Sequence, residues 1–188
     1  MSRISFKPGN ILNPVPVVMV SVTDKNGRSN IITIAWAGTI NSDPPMVSIS
    51  VRKERFSYPI IKETGEFVIN LVTKDLTFAC DYCGVKSGKD IDKFKEMSLT
   101  ECDVDNVSAK GISESPVNIA CKVLDSKDLG THVMFTAEVV GVNVDDKYMD
   151  ATGKFDINSL GLVAYSHGEY FVLGEKLGKF GYSVKKEK

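Results

Sequence analysis

The sequence predicts a mainly β protein, an antiparallel barrel with short helical insertions. Six segments of strand length carry apolar residues, several of them in alternation with polar ones. Helical spacing occurs only in short stretches between these segments, without the regular strand and helix alternation of a doubly wound sheet. No internal repeat or linker-like run divides the chain, so we expect residues 1–188 to form a single domain.

The first two predicted strands, residues 17–23 and 30–36, form a hairpin. Asp24-Lys25-Asn26-Gly27 lies between them, and an Asn-Gly pair favours the positive φ of a tight hairpin turn. Residues 38–45, which include Asp43-Pro44-Pro45, are predicted to be a loop.

The third predicted strand, residues 46–52, alternates cleanly between an apolar and a polar face. Ser50 and Arg52 share the polar face, and Arg55 and Ser57 follow at once. Hydroxyl groups, a cation and backbone N–H groups at a strand end can bind a phosphate. The apolar face consists of Val47, Ile49 and Val51.

Asn30, Thr33 and Trp36 in the preceding strand offer amide, hydroxyl and indole groups to a polar aromatic ligand. We therefore interpret residues 30–57 as a cradle for a flat ring that carries a phosphate. The alternative is an ordinary solvated sheet face, since serine and arginine are common there.

Helices and strands alternate irregularly in the middle of the chain. Residues 54–64 have helical spacing, with Pro59 in the first turn and Gly65 as the C-terminal cap. A strand is predicted over residues 66–71. Two short helices follow. The first covers residues 73–83, with Thr73 as N-cap, and the second covers residues 90–97. Residues 99–115 are then predicted to be a polar surface excursion.

The last predicted strands cover residues 117–124 and 131–144, the second with a bulge at Gly141. A hairpin then pairs residues 162–165 with 169–173. The basic tail Lys185-Lys186-Glu187-Lys188 is expected to be frayed.

The composition excludes some classes of protein. Lys and Arg number 23 against 24 Asp and Glu, so the net charge of −1 argues against general nucleic-acid binding. The N-terminus lacks the order of a signal peptide, and no stretch approaches the length of a membrane span. We expect a cytoplasmic protein with no membrane partner, whose four cysteines are thiols.

Cys80 and Cys83 form a single Cys-x-x-Cys pair. A second pair with zinc-ligand spacing is absent from the sequence, and the strand and helix context of a thioredoxin motif is missing, so no metal site is predicted. Packing of two helix cysteines is the simplest interpretation, and a redox role is the alternative.

The loop Lys86-Ser87-Gly88-Lys89 and the following Lys93 supply positive charge and a hydroxyl group. Gly88 permits a close approach of the backbone to a ligand. This loop is either a second wall of the phosphate pocket or a solvated helix start. The histidines, His132 and His167, form no recognisable catalytic triad with a serine and an aspartate, so no catalytic residue is predicted and the role of His132 stays open.

Taken in order, these segments resemble the flavin reductase-like proteins with an FMN-binding split barrel, and particularly their flavoredoxin branch. The likeness runs from about residue 6 to 174. The segments that carry it are Asn30-Ile31-Ile32-Thr33-Ile34-Ala35-Trp36, Asp43-Pro44-Pro45, Ser50-Val51-Arg52, Phe67-Val68-Ile69-Asn70, Ser87-Gly88-Lys89-Asp90-Ile91-Asp92-Lys93-Phe94, Glu138-Val139-Val140 and the hairpin from Tyr165 to Gly174.

The resemblance implies a six-stranded antiparallel split barrel of Greek-key type and a homodimer with one non-covalent FMN per subunit. Ser50, Val51 and Arg52 would hold the phosphate, and Tyr165 would close the pocket. The cofactor-binding residues that it implies are Asn30, Thr33, Ile34, Ala35, Trp36, Ser50, Val51, Arg52, Phe56, Ser57, Lys86, Ser87, Lys93 and Tyr165.

The function predicted from the resemblance is an FMN-dependent oxidoreductase that passes electrons from NAD(P)H or a protein donor to flavin, ferric complexes or another acceptor. Two alternatives stay open. One is a flavoredoxin-type electron-transfer protein with little NAD(P)H activity, and the other is a flavin-binding module without catalysis.

Overall fold

The structure is a computed structural model that describes residues 1–184. The predicted frayed tail, Lys185 to Lys188, lies outside these residues. Within them the protein has twelve strands and three α-helices. They are β1 Val15–Pro16, β2 Val18–Thr23, β3 Ser29–Ile34, β4 Ala37–Ser42, β5 Pro45–Arg52, α1 Ser57–Thr64, β6 Glu66–Leu71, α2 Thr77–Val85, α3 Lys93–Glu96, β7 Glu101–Cys102, β8 Gly111–Ile112, β9 Val117–Asp128, β10 His132–Val144, β11 Val163–Ser166 and β12 Glu169–Val172.

The main sheet contains seven antiparallel strands in the order β3-β2-β6-β9-β10-β5-β4. The protein is therefore mainly β with few helices, as predicted. The predicted strand count of six is wrong, and in residues 1–184 no backbone pairing closes the sheet into a barrel.

The additional strand is β4, in the region that the sequence predicts to be a loop. It pairs with β5 through the turn at Asp43-Pro44, and most of its residues are exposed. An edge strand has only one hydrogen-bonded neighbour and buries few side chains, so it carries little of the apolar pattern by which strands are recognised.

β3 ends at Ile34, two residues earlier than predicted. Ala35 and Trp36 form a bend between β3 and β4, and the Trp36 carbonyl accepts a hydrogen bond from the Ser50 N–H at 2.9 Å. The bend therefore joins the two edge strands of the main sheet and lies beside Ser50 near the end of β5, where Trp36 is held.

The alternation in β5 is confirmed. Val47, Ile49 and Val51 are buried in the main core, while Ser50 is partly exposed and Arg52 is exposed. The bulge in β10 is also confirmed, because its pairing with β9 shifts register between Val139 and Gly141.

The helices lie between strands, and the first begins at Ser57, three residues later than predicted, and ends at Thr64 as predicted. Pro59 lies in the first turn of α1, and Gly65 ends the helix with a left-handed φ of 69°. The next two predictions are partly wrong. Thr73 caps no helix with its side chain, and Asp92 caps α3 by accepting from the Lys95 N–H at 3.2 Å. No helix in residues 1–184 is long and apolar enough to cross a membrane.

A buried polar network holds residues 99–115 against the main sheet. The Asn70 amide donates to the Met19 carbonyl and the Ser21 hydroxyl, both at 2.9 Å. Its oxygen accepts from the Ile112 N–H at 2.9 Å and from the Asn118 amide at 2.7 Å. The predicted surface excursion is therefore a packed segment, because a buried polar group is stable only when it is hydrogen-bonded.

A second, three-stranded sheet in the order β1-β11-β12 lies beside the main sheet. β11 and β12 form the predicted C-terminal hairpin, with His167 and Gly168 at its turn. β1 pairs with β11, so the segment before β2 is joined to this hairpin through Val15 and Tyr165.

We expect Asn70→Leu to lower the free energy of unfolding by about 3 kcal/mol, because it leaves the Ile112 N–H and one N–H of the Asn118 amide without a buried acceptor. Asn41→Ser is the control, since Asn41 is exposed and makes one hydrogen bond, to the Pro44 carbonyl at 2.8 Å. Urea denaturation of both variants measures the difference. Equal losses would show that the network contributes no more than a surface turn.

Candidate functional site

A cavity of about 330 Å³ opens between the end of β3, the Trp36 bend and the end of β5. Seven of the predicted cofactor-binding residues line it. They are Thr33, Ile34, Ala35, Trp36, Ser50, Val51 and Arg52. We call this the ring cavity.

A smaller cavity of about 140 Å³ lies next to it, between β3, the start of α1 and the loop before α3. We call this the cation cavity. The remaining predicted residues line it, apart from Tyr165. They are Asn30, Phe56, Ser57, Lys86, Ser87 and Lys93.

The two cavities are neighbours, because Ile32, Glu54 and Arg55 line both. Tyr165 lies elsewhere, in a third cavity that shares Trp36 with the ring cavity. The structure thus brings all but one of the predicted residues into two adjoining spaces. It separates Arg52, which lines the ring cavity, from Lys93, which lines the cation cavity.

Lys93 lines the cation cavity and is also hydrogen-bonded to the backbone of β3 and α2. Its side chain is only 3% exposed, and its ammonium group donates to the Ile31 carbonyl at 2.6 Å and the Cys83 carbonyl at 2.7 Å. Burial lowers the pKa of Lys93 to about 8, with a smaller contribution from the nearby Arg55 guanidinium and an opposing one from Cys83. An ammonium uses three donors, so one remains available to a ligand.

Two arginines that the sequence did not single out as ligands hold the same region. Arg55 donates to the Gly84 carbonyl near the end of α2, and Arg28 donates to the Gly88 carbonyl and lies 4.7 Å from the centre of the Phe56 ring. The sequence indicated Arg55 as one of the polar residues that directly follow the third predicted strand, next to the predicted Phe56 and Ser57. Nothing in the sequence marks Arg28.

Arg52 and Arg55 differ in their charge environment. The Arg52 guanidinium pairs with the Glu54 carboxylate at 2.7 Å, and both side chains are exposed. In residues 1–184, Arg55, Lys86 and Lys93 have no carboxylate within ion-pair distance. Three cations line the cation cavity against one carboxylate, that of Glu54, which is paired with Arg52, so the cavity has an excess of positive charge.

Asn30 and Gly88 meet at the wall of the cation cavity. The Asn30 amide donates to the Ser57 hydroxyl at 2.8 Å, and both side chains are buried. A Cβ atom at Gly88 would lie 2.1 Å from the Asn30 side-chain oxygen and 2.8 Å from a Phe56 ring carbon. Only glycine allows the loop to pack this closely.

The Cys-x-x-Cys pair lies in the core rather than at a cavity. Cys80 and Cys83 are free and fully buried, and burial raises the pKa of their thiols to about 12 and about 11. Reactive cysteines have depressed pKa values and are accessible, so these two have the properties of packing residues. In residues 1–184, no group of three His, Cys, Asp or Glu side chains is placed to hold a metal ion.

His132 lines the ring cavity opposite Arg52, its partner in the pairing of β10 with β5. Its ring accepts from or donates to the Thr131 hydroxyl at 2.9 Å. His167 lies in the β11–β12 turn, with a left-handed φ of 49°.

Residues 12–173 match the family model described as the flavin reductase like domain. The chain belongs to this family. The structure of flavoredoxin from Desulfovibrio vulgaris (Miyazaki F) is similar to this flavin reductase-like chain, with 31% identity and a TM-score of 0.90 over 98% of this chain and 100% of that one.

Two further relatives agree with this membership in the flavin reductase-like family. The structure of flavoredoxin from Methanosarcina acetivorans has 25% identity and a TM-score of 0.88 over 98% of this chain and 100% of that one. A protein of Archaeoglobus fulgidus is 29% identical over 144 residues, which are 77% of this chain and 80% of its own. The split-barrel family predicted from the sequence is therefore confirmed.

We expect Gly88→Ala to lower the free energy of unfolding by about 2 kcal/mol, because the added methyl group overlaps Asn30 and Phe56. For a chain of this length the melting temperature should fall by roughly 4–8 °C. Gly38→Ala is the matched control, since a Cβ there meets no atom within 4 Å. Equal melting temperatures for the two variants would contradict the close packing of the loop.

Proposed function

We propose that this chain is an FMN-binding oxidoreductase that passes electrons from NAD(P)H or a protein donor to flavin, ferric complexes or another small acceptor. The observation that carries the proposal is the pair of adjoining cavities in a flavin reductase-like domain, one with an indole side chain and one with three cations against a single carboxylate.

The residues of the cation cavity fit a phosphate group. Arg55, Lys86 and Lys93 supply cations, and Ser87 supplies a hydroxyl donor. Each charge-assisted hydrogen bond to an anion is worth about 1.5–3 kcal/mol. The small volume, about 140 Å³, suits a single phosphate and favours FMN among the flavins.

The residues of the ring cavity fit a flat polar ring. Trp36 and Ala35 provide apolar surface, while Thr33 and Ser50 border it with hydroxyl groups. The Thr33 hydroxyl already donates to the Cys80 carbonyl, so its oxygen is left to accept from a ligand donor. Ser50 and Arg52 then lie along the path from the ring to the phosphate.

The redox chemistry of such a site is that of the flavin, which takes up a hydride or single electrons and passes them on. The protein's own residues bind and orient. Lys93 and Arg55 hold negative charge at one end, and Trp36, which is 38% exposed, limits access at the other. No side chain of the ring cavity is required as a general acid or base.

The electron-transfer version of this function has specific support. Flavoredoxins are among the similar structures, and one of them is 31% identical over nearly the whole chain. In this version a redox protein, rather than NAD(P)H, reduces the bound flavin.

We also propose a homodimer in the cytoplasm. The exposed surface is 12160 Å², whereas a compact monomer of 20.6 kDa exposes about 8,900 Å². Part of the excess comes from apolar side chains near the C-terminus, including Leu173, Leu177 and Phe180, which a second copy would cover. Sedimentation equilibrium tests this, and a strictly monomeric protein would contradict it.

The visible absorption spectrum of the purified protein, before and after anaerobic NAD(P)H, tests the function. We expect a flavin spectrum, release of FMN on denaturation and rapid bleaching by NAD(P)H. Bleaching only by a reduced redox protein would favour the flavoredoxin-type version. A colourless protein that takes up no added FMN would contradict every flavin-based function.

We expect Lys93→Met to weaken FMN binding by about tenfold to a hundredfold, because one charge-assisted hydrogen bond to phosphate is lost. Riboflavin, which lacks the phosphate, should be affected far less. The exposed Lys95 in the same helix provides the control Lys95→Met. Fluorescence titration measures all four affinities, and equal losses for FMN and riboflavin would place the phosphate elsewhere.

The affinity for FMN should also depend on pH. Because the pKa of Lys93 is lowered to about 8, the unliganded protein loses this charge as the pH rises through 8. A phosphate favours the charged ammonium and is itself mostly dianionic above its second pKa of about 6, so we expect affinity to be highest near pH 7 and to decrease from about pH 8 to 10. The same titration of Lys93→Met should show no such decrease.

A further inference from the structure

A third cavity, of about 470 Å³, shares Trp36 with the ring cavity. We call it the outer cavity. Three parts of the chain form it, namely the segment before β1, the bend after β3 and the β11–β12 turn. The residues that the following argument uses are Phe6, Lys7, Ile11, Trp36, Tyr165 and His167.

Trp36 is the one residue common to the linings of the ring cavity and the outer cavity. A ring bound in the first and a molecule bound in the second would both contact the same side chain. Electrons can pass between two molecules that contact one shared side chain, whereas hydride transfer needs the reacting atoms about 3–3.5 Å apart. The outer cavity is therefore placed where a small acceptor would meet the proposed cofactor.

The wall of the outer cavity is attached to the fold by polar contacts and leaves apolar side chains uncovered. The Asn13 side-chain oxygen accepts from the His167 N–H at 3.2 Å, and Val15 pairs with Tyr165 in the second sheet. Phe6 and Ile11 are 73% and 60% exposed. Apolar surface gathered around a concave space is typical of a ligand site.

The chemistry of the lining selects the ligand. Phe6, Ile11, Trp36 and Tyr165 provide apolar and aromatic surface, and among residues 1–184 no Asp or Glu lines the cavity. Lys7 is cationic, and within residues 1–184 it forms no ion pair. A volume near 470 Å³ lies in the range of small-molecule pockets. These features fit a planar aromatic molecule with one acidic group.

We propose that the outer cavity binds the electron acceptor of this protein, and that the acceptor is a quinone that carries an acidic group. The proposal rests on the oxidoreductase function above. In the overall reaction NAD(P)H and one proton reduce the quinone to the hydroquinone and leave NAD(P)⁺. Two electrons and one proton come from NAD(P)H by way of the flavin, and solvent supplies the second proton.

The experiment uses the full chain and the fluorescence of its single tryptophan, Trp36. Cofactor-free protein is titrated with anthraquinone sulfonate and with its neutral hydroxymethyl analogue. We expect both probes to quench the fluorescence saturably, and the anion to bind with the higher affinity. Lys7→Gln should weaken binding of the anion by about two- to fivefold and leave binding of the neutral analogue unchanged. Phe6→Ala should weaken binding of both probes by about fivefold.

Lys154→Gln is the control, since Lys154 is exposed and lies outside the lining of the cavity. The FMN-loaded protein with NAD(P)H gives the second measurement, in which Lys7→Gln should raise the Michaelis constant for the sulfonate without changing its maximal rate. Quinone and FMN should bind together, and competition between them would place the quinone in the ring cavity and overturn the proposal.

Other outcomes separate this proposal from the proposed function. If FMN binds and NAD(P)H bleaches it, but neither probe gives saturable quenching, the outer cavity is no acceptor site and the oxidoreductase function stands. If Phe6→Ala instead changes the oligomeric state, a second copy covers the cavity and the proposal is wrong. If the probes quench but FMN never binds, the proposed function fails and with it the acceptor role.

Discussion

The end of helix α2 is the point on which the candidate site depends. The last carbonyl groups of a helix have no partner within it. Here side chains from outside the helix supply the donors, with Lys93 on the Cys83 carbonyl and Arg55 on the Gly84 carbonyl. Lys93 also binds the Ile31 carbonyl of β3, so a single buried ammonium group fixes the distance between sheet and helix.

The two side chains that donate to the end of α2, Arg55 and Lys93, also keep their positive charge available to a ligand. Arg55 and Lys93 are held in place by backbone carbonyls, which are neutral, so their positive charge is not cancelled as that of Arg52 is by Glu54. A buried cation without a carboxylate partner is costly unless an anion can approach it. The same residues therefore hold the fold and favour a phosphate beside it.

The three cavities form a series around β3 and the Trp36 bend. The cation cavity and the ring cavity share Arg55, and the ring cavity and the outer cavity share Trp36. In the proposed function, a phosphate, a flat ring and an acceptor would each have a separate position in this series. The short bend after Ile34 makes the series possible, because it brings the indole into the linings of both the ring cavity and the outer cavity.

The sequence by itself determined the mainly β class, the alternation of β5, the Gly141 bulge, the family and most residues that line the two cavities. These features depend on local patterns, since burial of one face of a strand requires an apolar residue at every second position. The edge strand β4, the Asn70 network, the ties of Arg28 and Arg55 and the position of Tyr165 were decided only by the tertiary structure. Their partners are far apart along the chain, as with Arg28 and Gly88, and no local spacing indicates such a contact.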